Sequence, residues 1–317
     1  MRMERLATIG IGIGQMFLLV VCAPLVTGFV QKLKARLQCR QGASVWQPYR
    51  DLAKLARKGT VESDSASPIF RAVPALVLAA TLCAAALVPV VIAASGADRI
   101  PLGDAILLVS LLALARFLTA IGALDAGGAF GGMGASREMT VGVLVEPVLM
   151  LVIFSVTLAG GTTDLADLAA RRQQGLPPFG APDLLALFAM LVLLIAETGR
   201  IPVDNPDTHL ELTMLHEGML LEHSGPGLAC LVLANHVKQL VAIALVAAVF
   251  FPAGLATSAT APALALALAA FAGKALVLAV FLGLVESSYA KLRLFRLPHL
   301  MGIGFVTAFL ALALRTL

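Results

Sequence analysis

Apolar residues occur in this chain in long unbroken runs, and the length of those runs limits the fold more than any other feature of the sequence. A helix needs about 20 apolar residues to cross the roughly 30 Å hydrocarbon core of a bilayer. Runs of that order fall at roughly 6–30, 69–94, 104–124, 139–160, 182–201, 228–252, 261–286 and 297–315. Charged residues make up 13% of the chain, about half of what an ordinary soluble domain uses to cover itself. The short alternating segments of a transmembrane barrel are absent. The expected fold is an all-α polytopic membrane protein of about eight transmembrane helices, forming a single integral membrane domain over 1–317. The first run exceeds a signal-peptide core and lacks a small-residue cleavage site followed by polar sequence, so it reads as a retained first span.

Gly96, Pro101, the GGAFGGMG stretch from Gly127 to Gly134, Pro177, Pro178 and Pro262 punctuate the gaps between runs. Lys and Arg placement sets the orientation. Lys32, Lys34, Arg36, Arg40, Arg50, Lys54, Arg57 and Lys58 crowd the loop from Gln31 to Pro68, and Arg71 follows it. Lys291, Arg293 and Arg296 precede the last span, and Arg137 and Arg200 fall on the same side of an eight-span chain. The opposite side holds Arg2, Arg5, Arg99, Arg171, Arg172 and Arg315. Both termini are therefore expected outside the cytoplasm, in a bacterial inner membrane. The first loop is expected to be partly helical, with Trp46, Tyr49, Leu52, Ala53, Leu55 and Ala56 on one side. Arg50, Lys54, Arg57 and Lys58 take the other, as in a helix lying at the membrane interface.

Cys22, Cys39, Cys83 and Cys230 are scattered without a CxxC pair, so no zinc or iron–sulfur site is expected in this chain alone. The GIGIG stretch from Gly10 to Gly14 lies inside the first span with no strand before it, which excludes a dinucleotide fingerprint. No nucleophile elbow or phosphate loop is present, and no nucleic-acid partner is expected. The chain shows no catalytic centre of its own.

Charges inside spans cost roughly 2.5–3.5 kcal/mol each on insertion scales and usually face the bundle interior. The chain carries Arg116, Glu138, Glu146, Glu197, His236, Lys238, Lys274 and Glu286 in or at the ends of its runs. Glu138 and Glu197 lie near the cytoplasmic ends; Glu146, Lys238 and Lys274 lie deeper. Two readings stand: structural ion pairs, for example Glu146 with Lys238, or a chain of protonatable groups leading from the cytoplasmic face into the membrane.

The segment ETGRIPVDNPDTHLELTMLHEGMLLEHSG, Glu197 to Gly225, is the sharpest anomaly. It places six carboxylates, Glu197, Asp204, Asp207, Glu211, Glu217 and Glu222, against one basic residue, Arg200. A helix starting near Asp207 would put Asp207, Glu211, Leu215, Gly218 and Glu222 on one face. His209, His216 and His223 recur every two turns, about 10.5 Å apart and too far to share a metal ion. Met214, Leu215, Met219, Leu220 and Leu221 make the rest apolar, so the segment is expected to pack against protein.

This segment resembles the signature of the respiratory complex I subunit 1 family. The resemblance rests on Ala196, Glu197, Thr198, Arg200, Pro202, Asp204, Pro206, Asp207, Glu211, Leu212, Glu222, Ser224 and Gly225. Gly199, Val203, His209 and His223 depart from the family pattern, and the stretch from Leu212 to Glu222 is about three residues longer. The form PVDNPDTHLELTMLHEGMLLEHSG is similar to the branch found in membrane-bound nickel–iron hydrogenases such as formate hydrogenlyase. The stretches Ala35 to Lys58, Ser136 to Pro147 and Lys291 to Gly304 resemble other parts of the same family, so the likeness covers nearly the whole chain.

The resemblance implies a membrane anchor and coupling subunit of an energy-converting hydrogenase complex. It implies hydrogenase large and small subunits and an iron–sulfur protein as partners, carrying the nickel–iron site and the iron–sulfur clusters. It also implies antiporter-like membrane subunits, with no cofactor bound by this chain. The alternative is the quinone-chamber subunit of an NADH- or ferredoxin-oxidising complex I relative; a stand-alone ion transporter is a third reading. By carry-over, Glu138, Glu146, Glu197, Asp204, Asp207, Glu211 and Glu222, with Lys238 and Lys274, would form the proton path or coupling elements. Arg36, Arg40, Asp51, Lys54 and Arg200 would form the docking face or junction.

Overall fold

A computed structural model describes residues 2–63, 66–92, 104–175, 178–204, 215–256, 260–292 and 296–316. Eight long helices carry the described chain: α1 (Arg2–Leu37), α3 (Pro68–Leu87), α4 (Ala105–Asp125), α5 (Ala129–Gly160), α7 (Ala181–Glu197), α9 (Gly225–Phe250), α10 (Ala261–Ser288) and α11 (Leu297–Thr316). Three short ones, α2 (Gln47–Ala56), α6 (Leu165–Gln173) and α8 (His216–Leu220), sit in the connections. Seven of the long helices are long and apolar enough to cross a membrane. The eighth, α7, has 17 residues, about 25 Å of helix at 1.5 Å per residue. It packs between α5, α9 and α11.

Helix α9 is the centre of the bundle. It contacts α1, α2, α3, α6, α7 and α10, and every residue from Gln239 to Phe250 is buried. A helix that is apolar all round is stable only when neighbours or lipid cover every face; here protein does so. Around α9, α3 packs on α4, α4 on α5, and α11 on both α5 and α7, while α10 packs on α1 and α9.

The observed helices differ from the expected spans at their ends. The first continues seven residues beyond Val30 to Leu37, carrying Lys32, Lys34 and Arg36 out of the apolar zone on the same helix. The second stops at Leu87, and Gly96, Pro101 and Pro177 lie outside the described residues. The glycine-rich stretch 127–134 does not form a gap: from Ala129 onwards it is the first part of α5. The N-cap Gly128 has no side chain with which to cap that helix. The Glu222 carboxylate reaches in from the turn after α8 and accepts the Gly131 N–H at 3.2 Å. A Cβ on Gly128 would stand 1.9 Å from that carboxylate, so glycine is what admits the distant cap.

The basic first loop contains the expected amphipathic helix, α2, and one side of it lies on protein. It contacts α1 and α9, burying Pro48 and half-burying Tyr49, Leu52 and Leu55, while Arg50, Lys54 and Arg57 stay exposed. The Tyr49 hydroxyl donates to the Val21 carbonyl of α1. Ala53 and Ala56, expected on the apolar side, are exposed. At the opposite end of the bundle, Asp183 at the start of α7 binds Arg172 of α6 at 2.5 Å and also pairs with Arg315 of α11. That carboxylate ties three helices together.

Candidate functional site

The charges in the spans gather into one connected region. Arg116, in the middle of α4, is 6% exposed and serves three carboxylates. Its Nε lies 3.4 Å from Glu138 Oε1, its Nη1 donates to Glu146 Oε1 at 2.9 Å, and its Nη2 donates to Glu197 Oε2. The other Glu197 oxygen lies 3.0 Å from Lys238 Nζ of α9. The planar five-donor fork of arginine suits this many-partner role as a lysine would not. Three carboxylates facing two cations leave a net charge of one minus when all are ionised.

A second group lies where α7 and α10 end. Glu286, at the end of α10, is shared by Arg200 at 3.2 Å and Lys34 at 3.7 Å. Arg200 also donates to Gln239 Oε1 at 2.9 Å, the same oxygen that Thr27 reaches at 3.2 Å. Beside them, Asp204 binds Lys291 at 2.8 Å, and its second oxygen accepts the Leu215 and His216 N–H groups, both at 3.3 Å.

A cavity of about 100 Å³ joins the two groups, lined by Glu138, Glu197, Arg200, Asp204, His216, Asn235, His236, Lys238 and Gln239 among others. A smaller one of about 20 Å³ continues along Arg116, Thr81 and Thr119, sharing Glu138, His216, Asn235 and Lys238 with the first. His216 Nε2, His236 Nδ1 and Gln239 Nε2 are buried without a protein partner. Polar atoms in that position call for water, and the larger cavity has room for it. Charged and amide groups predominate in the walls of the larger cavity, while Val77, Met219, Leu220 and Leu231 form much of the smaller one.

The sequence-expected residues divide accordingly. Glu138, Glu146, Glu197 and Lys238 come together, although not in the expected pairing: Glu146 meets Arg116, and Lys238 meets Glu197. Asp204 holds the base of the acidic segment. Glu222 lies at the α5 N-terminus, and Lys274 stands apart on α10. Asp207 and Glu211 lie outside the described residues, as does most of the helix expected from Asp207; in its described part His216–Leu220 is helical, and Glu222 follows in a turn. Arg36, Arg40, Asp51 and Lys54 are exposed at the end of α1, in the following loop and on α2. Arg200 is buried and turned towards Glu286 and Gln239, and it shares with Arg40 the lining of a cavity at the end of α1. The acidic segment does not lack countercharges; Arg116, Lys238 and Lys291 supply them from helices and loops remote in sequence.

Arg116 is the principal residue absent from the expected site, with Lys34, Gln239, Glu286 and Lys291 beside it. The signal for Arg116 was an arginine at the centre of an apolar run, a position tolerated only when carboxylates meet it. His223 is also functional in the packing. It stacks on Phe70 with ring centroids 4.2 Å apart and planes at 6°. Burial lowers its pKa from 6.5 to about 4, so the ring is neutral at neutral pH.

Comparison with known proteins bears on the whole chain. The NADH dehydrogenase family model matches residues 11–316. Formate hydrogenlyase subunit 4 of Escherichia coli is 36% identical over 297 residues, covering 94% of this chain and 95% of its own. Hydrogenase-4 component C of the same organism is 34% identical over 304 residues, covering 94% and 93%. An NADH-quinone oxidoreductase subunit of Rhizobium rhizogenes is 28% identical over 242 residues, covering 67% and 66%. A chain in the structure of the membrane-bound sulfane sulfur reductase, an archaeal respiratory membrane complex, shares the fold. Its TM-score is 0.80 at 20% identity, over 96% of this chain and 99% of that one.

Proposed function

The chain belongs to the NADH dehydrogenase family of complex I subunit 1, and on that premise we propose that it is the membrane anchor and coupling subunit of an energy-converting nickel–iron hydrogenase complex of the formate hydrogenlyase type. The observation that carries this reading is end-to-end similarity to two hydrogenase membrane subunits, at 36% and 34%. The NADH-quinone oxidoreductase relative aligns over only two thirds of the chain, at 28%.

In this role the chain is a multi-pass subunit of an oxidoreductase complex and holds no redox centre. The nickel–iron site and iron–sulfur clusters belong to the large, small and iron–sulfur subunits that dock on the basic face around Arg36, Arg40, Asp51 and Lys54. Antiporter-like subunits lie beside it in the bacterial inner membrane, and both termini face away from the cytoplasm.

Coupling falls to the buried charges. Asp204 and Arg200 receive the electrostatic change when the docked arm turns over. The water-sized cavities then pass a proton between that region and the Glu138, Glu146 and Glu197 carboxylates. The shared Arg116 makes these three interdependent, because protonating one strengthens the hold of the arginine on the other two. The charged and amide groups of the larger cavity support water and ions as its contents.

The test is purification through a tag on this chain. Recovery of nickel–iron and iron–sulfur subunits with hydrogen-evolving activity is expected. Recovery of the chain without them overturns the reading. Sensitivity to quinone-site inhibitors that shifts with changes in 197–225 would move the assignment to the quinone-chamber alternative.

A further inference from the structure

Lys274 is the one buried-segment cation that this chain does not answer among the described residues. Arg116 and Lys238 each face carboxylates of the same chain, whereas Lys274 makes no ion pair or hydrogen bond with any described residue. It lies thirteen residues after Ala261 and fourteen before Ser288 in α10. That places it about 20 Å from either end of the helix, beyond the reach of a snorkelling lysine stem. An ammonium group held at that depth against hydrocarbon is costly.

The surroundings of Lys274 point outwards. Helix α10 packs chiefly on α1 and α9. Its other side exposes Leu266, Ala269, Ala272, Leu276 and Val277, and Lys274 is half-buried at the margin of that face. Next to it, a Cβ on Gly273 would meet nothing within 4 Å, so another helix can come close at this level.

We propose that the Lys274 side of α10 is the contact surface for a second membrane-spanning chain, one that presents an Asp or Glu at the middle of the bilayer as the counter-ion of Lys274. Lipid headgroups carry their anions at the surface and cannot serve at that depth. A two-fold copy of this chain with its axis at Lys274 would set like charge on like charge. A foreign transmembrane helix with a carboxylate is the occupant whose chemistry matches. Such a contact fixes the depth and rotation of the partner as well as its identity, because only one register satisfies both charges.

The inference rests on the multi-subunit reading in one respect: another membrane chain must be present. The experiment uses the complete complex, purified in mild detergent through this chain and treated with a membrane-soluble carbodiimide. The reagent converts a buried carboxyl group to an O-acylisourea, and an adjacent amine then attacks the acyl carbon and expels the urea to leave an amide. The expected product is an amide between Lys274 and an Asp or Glu in a spanning segment of a different subunit. K274M should abolish it and lower recovery of that subunit several-fold, while K274R, which keeps the charge, should retain the subunit without forming the amide.

A link from Lys274 to a carboxylate of this chain, including Glu146 of a second copy, overturns the proposal. So does the absence of any link together with K274M complexes of unaltered composition. A Lys274-linked membrane subunit in a preparation free of nickel–iron subunits would uphold this inference while refuting the hydrogenase reading, so the two fail separately.

Discussion

Lys238 Nζ stands 3.0 Å from one oxygen of Glu197 while the Arg116 guanidinium binds the other, so a single carboxylate joins α4, α7 and α9. The charge balance of that joint decides what each substitution does.

Glu197→Gln takes the cluster from one net negative charge to neutral, with Arg116 and Lys238 facing Glu138 and Glu146. The amide keeps the size of the side chain and part of its hydrogen bonding. The expected outcome is an assembled complex with a lowered ratio of protons moved to hydrogen evolved, measured in inverted vesicles. An unchanged ratio in this variant and in Glu146→Gln would remove both from the proton path, whereas loss of the complex in both would make the cluster a structural one.

Arg116→Met has the opposite consequence for folding. Three carboxylates would face only Lys238 in a low dielectric, and breaking a buried pair costs about 3–5 kcal/mol. Loss of the chain from the membrane fraction is expected, with partial recovery when Glu146→Gln is added. Arg116→Lys should rescue little, because a single ammonium cannot reach all three carboxylates in the geometry of the fork.

Glu222→Ala removes the distant cap of α5 and should cost about 0.5–2 kcal/mol, the usual range for losing a helix cap. Limited proteolysis near residues 126–131 should accelerate. Glu222→Gln, which still accepts a hydrogen bond, should lie between wild type and alanine. Proteolysis at the wild-type rate in the alanine variant would deny the cap.

His223 gives the protein a pH dependence. Its folded pKa is held at about 4 by burial against Phe70, below the unfolded value near 6.5. Between those values the unfolded chain binds the extra proton, so stability falls as pH drops from about 6.5 towards 4. Thermal unfolding of the complex should shift downwards more steeply over that range in wild type than in His223→Phe. Parallel curves for the two proteins would show that another group governs the transition.

Much of this is legible in the sequence. Helix number and class follow from the lengths of apolar runs, and the membrane-buried charges mark the site because each has to be met by something. Helix ends are harder to read. The glycines from Gly127 to Gly134 look like a break because nothing local caps α5; the cap comes from Glu222, some ninety positions away in the chain. Pairing is harder for the same reason. Which cation meets Glu146 depends on α4 lying against α5, and periodicity within one helix carries no information about its neighbours. Arg200 illustrates the limit: a basic residue in an acidic loop looks exposed until Glu286 from α10 is brought beside it.

The two oxygens of Asp204 divide their work, one binding Lys291 and the other gathering the N–H groups of Leu215 and His216. That second oxygen fastens position 204 to position 215, so the two ends of the stretch between them are held together as a clasp. A segment bounded in this way can be lengthened, shortened or rewritten without moving the helices on either side. Val203 and His209, two of the positions that depart from the family pattern, fall next to and within that stretch. The clasp thereby lets the sequence between its two ends change while the salt bridges behind it keep their partners.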